Sequence, residues 1–393
     1  MNCASWKIAF TLPDVLNTPG VSATFDGKTV RVALYSDIYP DPLILQCAAA
    51  AGDRIALHMY PYRAELYRGD VLTDEEWPVG RIDVPDGAVP LADAPQPDPD
   101  RTPFCAEGWH PAPDIFVGDC MPFVDGDDFH VFYLKDRHHH RSKWRLGAHQ
   151  WAHIVSRDLV HWTQLPMAVE IDRAWEGSIC TGSVIRDGGQ YSAWYAVRMA
   201  LQFSPARITC SVSDDGVHFR KTDERITLPD SFDGPSARDP FVYRGADGAM
   251  RMLVTTSNFT PSGSVGCLAM LRRTDNGWVC DPTPMLTAED QPECSDLVAF
   301  GGRYYLIYSI AGTARYGFGP TESGPWTFPD GGIIRADGLS PLRVPKSAVW
   351  HGRLFFVGFT ACGGYGGTMH FYEAFPQPDG TLRFELPAEF AER

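Results

Sequence analysis

Three acidic residues stand at similar places in this chain. Asp119 lies in Gly118-Asp119-Cys120-Met121-Pro122-Phe123-Val124, Asp239 in Ser236-Ala237-Arg238-Asp239-Pro240-Phe241, and Glu293 in Pro292-Glu293-Cys294-Ser295-Asp296-Leu297-Val298. Each opens an apolar, strand-like run that ends in a Gly turn: Gly126 follows Asp119 by 7 residues, Gly245 follows Asp239 by 6, and Gly301 follows Glu293 by 8. Asp near a strand start is also an ordinary turn former, so one such acid alone decides little. Three at repeat-equivalent places, meeting at one end of a channel, would repel one another, a cost that points to function. Cleavage of a glycosidic bond needs such a set: one carboxylate attacks or assists, and another donates a proton to the leaving oxygen. Arg238, next to Asp239, supplies a countercharge.

The elements that must bring these acids together can be read from the spacing of the strands. Five aromatic or branched runs follow Gly-containing turns: Phe129 to Tyr133, Tyr191 to Tyr195, Met250 to Val254, Tyr304 to Tyr308 and Leu354 to Gly358. Their centres, Phe132, Trp194, Leu253, Leu306 and Phe356, are 62, 59, 53 and 50 residues apart. Ser156-Arg157-Asp158-Leu159-Val160-His161-Trp162 is echoed 57 residues later by Ser213-Asp214-Asp215-Gly216-Val217-His218-Phe219. A period of about 50 to 60 residues with about four strands per unit is the signature of propeller blades. The first strand of each blade lines the axis, so its start faces the other blades. At the matching places blades two and five would carry Cys180-Thr181-Gly182-Ser183 and Lys346-Ser347. Before the repeats, Val30 to Tyr35, Arg54 to Tyr60 and Arg63 to Tyr67 alternate with period two, as in a small β-sandwich. Asp93 to Pro103 interleaves prolines with acids and reads as an extended linker. The fold class expected is all-β: a β-rich module over 1–92, a linker over 93–111, and a five-bladed β-propeller over 112–393.

The chain of 393 residues carries a formal charge of −15 and no Lys/Arg run, which argues against nucleic acid or an anionic membrane as partner. No window approaches 18 continuous apolar residues, the length of a membrane span. The N-terminal residues Met1 to Lys7 lack the features of a secretion signal, and the 10 cysteines contain no CxxC, so a cytoplasmic location with reduced thiols is expected.

At the acid motifs the sequence resembles glycoside hydrolase family 32, the invertase, inulinase and levanase group. Arg238-Asp239-Pro240 is similar to the family's Arg-Asp-Pro, and Glu293-Cys294-Ser295-Asp296-Leu297 to its Glu-Cys-Pro-Asp-Leu. His149 to Trp162, continuing through Leu165-Pro166-Met167-Ala168, resembles the stretch after its first blade, and Thr181-Gly182-Ser183 its Ser-Gly-Ser element. The resemblance covers residues 112 to 370. It implies a retaining mechanism with Asp119 as nucleophile, Asp239 as transition-state stabiliser and Glu293 as general acid/base, the acid and nucleophile about 5–5.5 Å apart. Two departures stand out. The family's Asn-Asp-Pro-Asn-Gly is here Gly118-Asp119-Cys120-Met121-Pro122, and its Tyr-Gln is Tyr133-Leu134. Losing a sugar-hydroxyl partner costs about 1–3 kcal/mol each, which points away from ordinary unsubstituted β-fructose recognition. A furanoside such as a fructose-containing oligosaccharide or disaccharide is the expected substrate. The alternatives are fructosyl transfer, difructose-dianhydride processing, an arabinofuranosidase of the family 43 type, and a catalytically silent carbohydrate-binding propeller.

Arg238, Trp151, Trp175, Thr181, Ser183 and Tyr365 are the expected sugar-binding residues. Cys120 and Cys294 read as packing residues. Asp296 reads equally as a supporting carboxylate or a strand cap. His138-His139-His140 is consecutive, a spacing that rarely chelates, and Gly363 to Gly367 precedes no helix, so it is no phosphate cradle. No metal and no cofactor are expected, and the oligomeric state is unspecified.

Overall fold

The computed structural model describes residues 5–37, 41–61, 63–78, 80–91, 101–103, 108–111, 115–137, 148–200, 206–336 and 338–390. The His138–His140 reading therefore falls outside the described residues. The fold is all-β: among the described residues, helix is confined to the single 3-10 turns Gly234–Ser236, Pro329–Gly332 and Ala388–Phe390. None of the helices is long and apolar enough to cross a membrane.

The N-terminal module is two antiparallel sheets face to face. Strands Trp6–Thr11, Arg54–Tyr60, Arg63–Arg68, Val71–Glu76 and Val89–Pro90 form one, and Val21–Phe25, Thr29–Leu34 and Leu43–Ala48 the other. The period-two alternation places Ile8, Ile55, Leu57 and Leu66 against Val30, Val32 and Leu45 in a single buried cluster.

The second unit is a five-bladed β-propeller. Its blades are built on Phe116–Asp125 to His161–Val169, Glu176–Asp187 to Arg220–Lys221, Arg238–Arg244 to Leu286–Ala288, Glu293–Phe300 to Thr313–Gly319, and Arg343–Trp350 to Leu382–Glu385. All five strand centres read from the sequence lie in second strands of blades. Arg101–Pro103, within the stretch read as linker, pairs with His161–Thr163 as an outer edge strand of blade one, where a proline costs no ladder bond. Five apolar clusters fill the five inter-blade spaces. The last joins Phe129 and Trp162 of blade one to Trp350, Phe355 and Phe371 of blade five. The ring thus closes mainly by side-chain packing. Between blades five and one a single backbone pair, Val117 with Gly367, links the sheets, and the Trp350 indole donates to the Asp127 carbonyl at 3.1 Å.

The sequence echo is a structural repeat. Asp158 accepts the N–H groups of Val160 and His161 and pairs with the His161 ring, and Asp215 does the same with Val217, His218 and the His218 ring.

Candidate active site

The axial strand of every blade carries a one-residue β-bulge at the same level. Three residues on the axial strand oppose two steps of its partner between Val117 and Cys120, Ile179 and Gly182, Arg238 and Phe241, Glu293 and Asp296, and Arg343 and Lys346. A bulge bends the strand and re-aims side chains, here toward the axis. Register makes Val117, Ile179, Arg238, Glu293 and Arg343 equivalent, followed by Gly118, Cys180, Asp239, Cys294 and Val344, and then Asp119, Thr181, Pro240, Ser295 and Pro345. The three acids therefore occupy three successive bulge positions: Glu293 the first, Asp239 the second and Asp119 the third. Blade five presents Arg343-Val344-Pro345 at this level, which corrects the sequence assignment of Lys346-Ser347, one step farther along. Asp239, Cys294 and Val344, all at the second position, have left-handed φ of 52°, 53° and 41°. Such backbone is unfavourable for residues with a Cβ and is held here by the surrounding blades.

The acids line one cavity of about 220 Å³ together with Leu134, His149, Cys180, Thr181, Arg198, Arg238, Cys294, Arg343, Val344, Phe359 and Tyr365. Asp119 and Asp239 are buried, 7% and 4% exposed, while the side chain of Glu293 is 37% exposed. Asp119 accepts hydrogen bonds from the Tyr365 hydroxyl at 2.7 Å, the Cys294 thiol at 3.3 Å and the Thr181 hydroxyl. Asp239 accepts the Cys294 N–H at 3.1 Å. Arg238 joins the other two acids: Nη2 donates to Glu293 Oε1 at 2.9 Å, and Nε lies 3.8 Å from Asp239 Oδ2. Burial works against the guanidinium charge, but the carboxylates of Asp239 and Glu293 outweigh it and raise its pKa above the ordinary value. Burial, reinforced by Asp119, pushes the Tyr365 hydroxyl and the Cys294 thiol well up, so both stay protonated donors.

Of the residues expected at the site, Asp119, Asp239, Glu293, Arg238, Thr181 and Tyr365 come together. The other three do not line this cavity. Trp151 is 0% exposed, packed on Phe132 and Tyr195 between blades one and two, with its indole donating to the Cys180 carbonyl at 2.9 Å. An apolar stripe at strand period serves inter-blade packing as readily as a pocket wall. Ser183 is an inter-blade pin, donating to Pro240 O at 3.1 Å and accepting Val242 N–H at 2.8 Å. Trp175 packs against the cluster between blades one and two, and the Arg207 guanidinium lies 4.6 Å from its ring centre. Asp296 also lies off the cavity, accepting the Leu297 N–H and the Ser347 hydroxyl.

The sequence reading missed His149, Arg198, Gln291 and Arg343. Gln291 anchors the site through Arg238, accepting from Nη1 at 2.6 Å while its amide donates to Ser236 and Ser257. His149 is buried, 2.9 Å from Asp136, with its ring stacked 5.5 Å from that of Tyr365. Bulge register applied to blade five would have found Arg343. For Gln291, two residues before Glu293, the sequence carries no comparable signal. Among the described residues no group of three or more His, Cys, Asp or Glu is arranged to hold a metal ion.

The axial bulges of the propeller thus converge three carboxylates and an arginine on one small pocket. Residues 119–321 match the glycosyl hydrolases family 32 N-terminal domain, and the chain belongs to that family. Among curated proteins it is similar to a sucrose-6-phosphate hydrolase of Escherichia coli, 28% identical over 205 residues, 49% of this chain and 40% of that protein. It also resembles a fructan 6-exohydrolase of Triticum aestivum, 26% identical over 199 residues, 45% of this chain and 31% of that one. The chain thus spans less than half the length of these curated relatives. Among solved structures, fructan 1-exohydrolase IIa from Cichorium intybus aligns with a TM-score of 0.56 at 20% identity, over 72% of this chain and 60% of that one, a likeness of fold.

Proposed function

We propose that this protein is a retaining glycoside hydrolase acting on a furanoside, a fructose-containing oligosaccharide or disaccharide before others. The observation that carries this reading is the convergence of Asp119, Asp239 and Glu293 on one cavity, with Arg238 bridging the latter two. Asp119, deep and held by three side-chain donors, attacks the anomeric carbon and forms the glycosyl-enzyme. Glu293, the most exposed of the three at the mouth, protonates the leaving oxygen and then activates water. Asp239 holds sugar hydroxyls between them. A cavity of about 220 Å³, below the ~300–1,000 Å³ of pockets for drug-sized ligands, suits one monosaccharide ring with the remainder of the substrate outside. The family and the activities named for its relatives support fructose as that ring. Apolar Leu134 at its wall, and Gly118 where the family carries Asn, favour a substituted or unusual furanoside over a plain fructoside. The eight free cysteines described accord with a reducing, cytoplasmic compartment.

The test is sugar release by wild type and Glu293→Gln from sucrose, sucrose 6-phosphate, inulin and levan oligosaccharides, difructose dianhydrides and arabinofuranosides. Fructose release that the substitution abolishes supports the reading. Fructosyl products longer than the substrate would make the protein a transferase, and arabinose alone an arabinofuranosidase. Sugar binding with no turnover on any substrate would overturn the catalytic assignment.

A further inference from the structure

The blade-five loop brings Tyr365 under Asp119, and the space it occupies exists because residue 118 has no side chain. A Cβ on Gly118 would lie 2.6 Å from the Tyr365 hydroxyl, 2.9 Å from its Cε1 and 3.0 Å from Leu134 Cβ. Gly118 is absent from the left-handed positions, so its lack of a side chain is required by Tyr365 and not by its own φ. The Tyr365 hydroxyl donates to Asp119 Oδ1 at 2.7 Å and accepts the Asp119 N–H at 3.0 Å, clasping backbone and carboxylate of one residue. The ring is fixed on two sides. His149 stacks on it at 5.5 Å and 26°, itself held 2.9 Å from Asp136, and Phe359 meets it edge-on at 5.2 Å. With its proton on Asp119 and a lone pair on the amide, the hydroxyl has little left for a sugar.

We propose that Tyr365 is a positioning residue for Asp119, and not a sugar-binding one. Gly118, Tyr365 and the His149–Asp136 pair form one coupled unit that orients the attacking carboxylate in this chain. The inference rests on the reading of Asp119 as nucleophile. Ground-state binding of the sugar then changes little when Tyr365 loses its hydroxyl, whereas attack slows.

Steady-state kinetics of Tyr365→Phe, Gly118→Ala and the double variant test this on the best substrate of the panel. Loss of a hydrogen bond to a charged acceptor predicts that kcat falls about 10- to 100-fold in Tyr365→Phe, with KM within about twofold. Gly118→Ala, which displaces the ring, should show the same fall in kcat at steady KM, and adding Tyr365→Phe to it should cost less than in the wild-type background, since both remove one interaction. Amide hydrogen exchange at Asp119 provides a readout independent of turnover: it should accelerate in Tyr365→Phe while the amides of the neighbouring strand Asp128–Asp136 keep their rates. Unchanged kcat, or a rise in KM alone, would overturn the positioning role. If wild type turns over no substrate, the proposed function fails, and an unchanged Asp119 exchange rate would separately sink the clasp.

Discussion

Asp119, Asp239 and Glu293 enter the cavity from three successive positions of one repeated bulge, and this offset separates their chemistry. A carboxylate at the third position lies among hydroxyl and thiol donors, one at the second against a backbone N–H, and one at the first toward the mouth beside an arginine. Trp151 illustrates how the same strand pattern serves packing. Its ring fills the space between blades one and two, and its indole holds the Cys180 carbonyl, next to the Thr181 that donates to Asp119. Trp151→Phe should therefore destabilise the fold by about 1–3 kcal/mol, from lost volume plus the lost indole hydrogen bond to the Cys180 carbonyl. It should lower kcat no more than modestly and leave KM unchanged. Thermal melting and kinetics together check it; a KM rise with unaltered melting would mean that the indole contacts sugar. The acids, Arg238, Thr181 and Tyr365 were legible because an ionisable or hydroxyl group beside a strand start is chemically conspicuous. Trp151, Trp175 and Ser183 were misread because residue type does not say which face of a strand looks down the axis.

At the scale of elements, the blades were legible through five aromatic strands at a slowly shrinking period and through the Ser-x-Asp turn found twice. The bulge was not legible, because it shifts register by one residue without a residue type of its own: its second position is variously Gly, Cys, Asp, Cys and Val. That is why Lys346, whose ammonium donates to the Ser295 carbonyl at 2.6 Å, stood in for Arg343. The twin turns make their own prediction. Burial opposes it, but the His161 N–H, the His161 ring and the Val160 N–H hold Asp158 down to about 2, and Asp215 is lowered by the equivalent partners. A folded-state pKa below the unfolded ~3.9 contributes stability that is present above that value and is lost as pH falls toward the folded pKa. Melting temperature should thus drop between about pH 4 and pH 2. Asp158→Asn should lower it at pH 7 and flatten the acid-side fall, as calorimetry across pH would show. An acid-side fall as steep in the variant as in wild type would assign it to other carboxylates.

The whole molecule adds contacts that no local pattern announces. The edge strand of the N-terminal module ends in Asp74-Glu75-Glu76, and these acids meet Lys135 and Arg137 at the end of a blade-one strand. Lys135 also covers the Trp77 ring at 4.7 Å. This strand runs on into Asp136, the partner of His149 at the cavity wall, so the module is seated on the element that backs the site. Acids and bases about 60 residues apart in sequence carry no sign that they pair. Asp74 and Glu76 are buried here, and removing one partner of a buried ion pair leaves an uncompensated charge that costs about 3–5 kcal/mol. Arg137→Met should therefore lower the melting temperature and split one cooperative transition into two as the module releases before the propeller. If the seating also holds Asp136 and His149, kcat falls in the same variant before any unfolding, and restoring charge with Arg137→Lys regains part of both. A single transition at the wild-type temperature would show that the acid cluster carries no docking energy, and a split transition with full kcat that the module and the site are structurally adjacent but energetically independent.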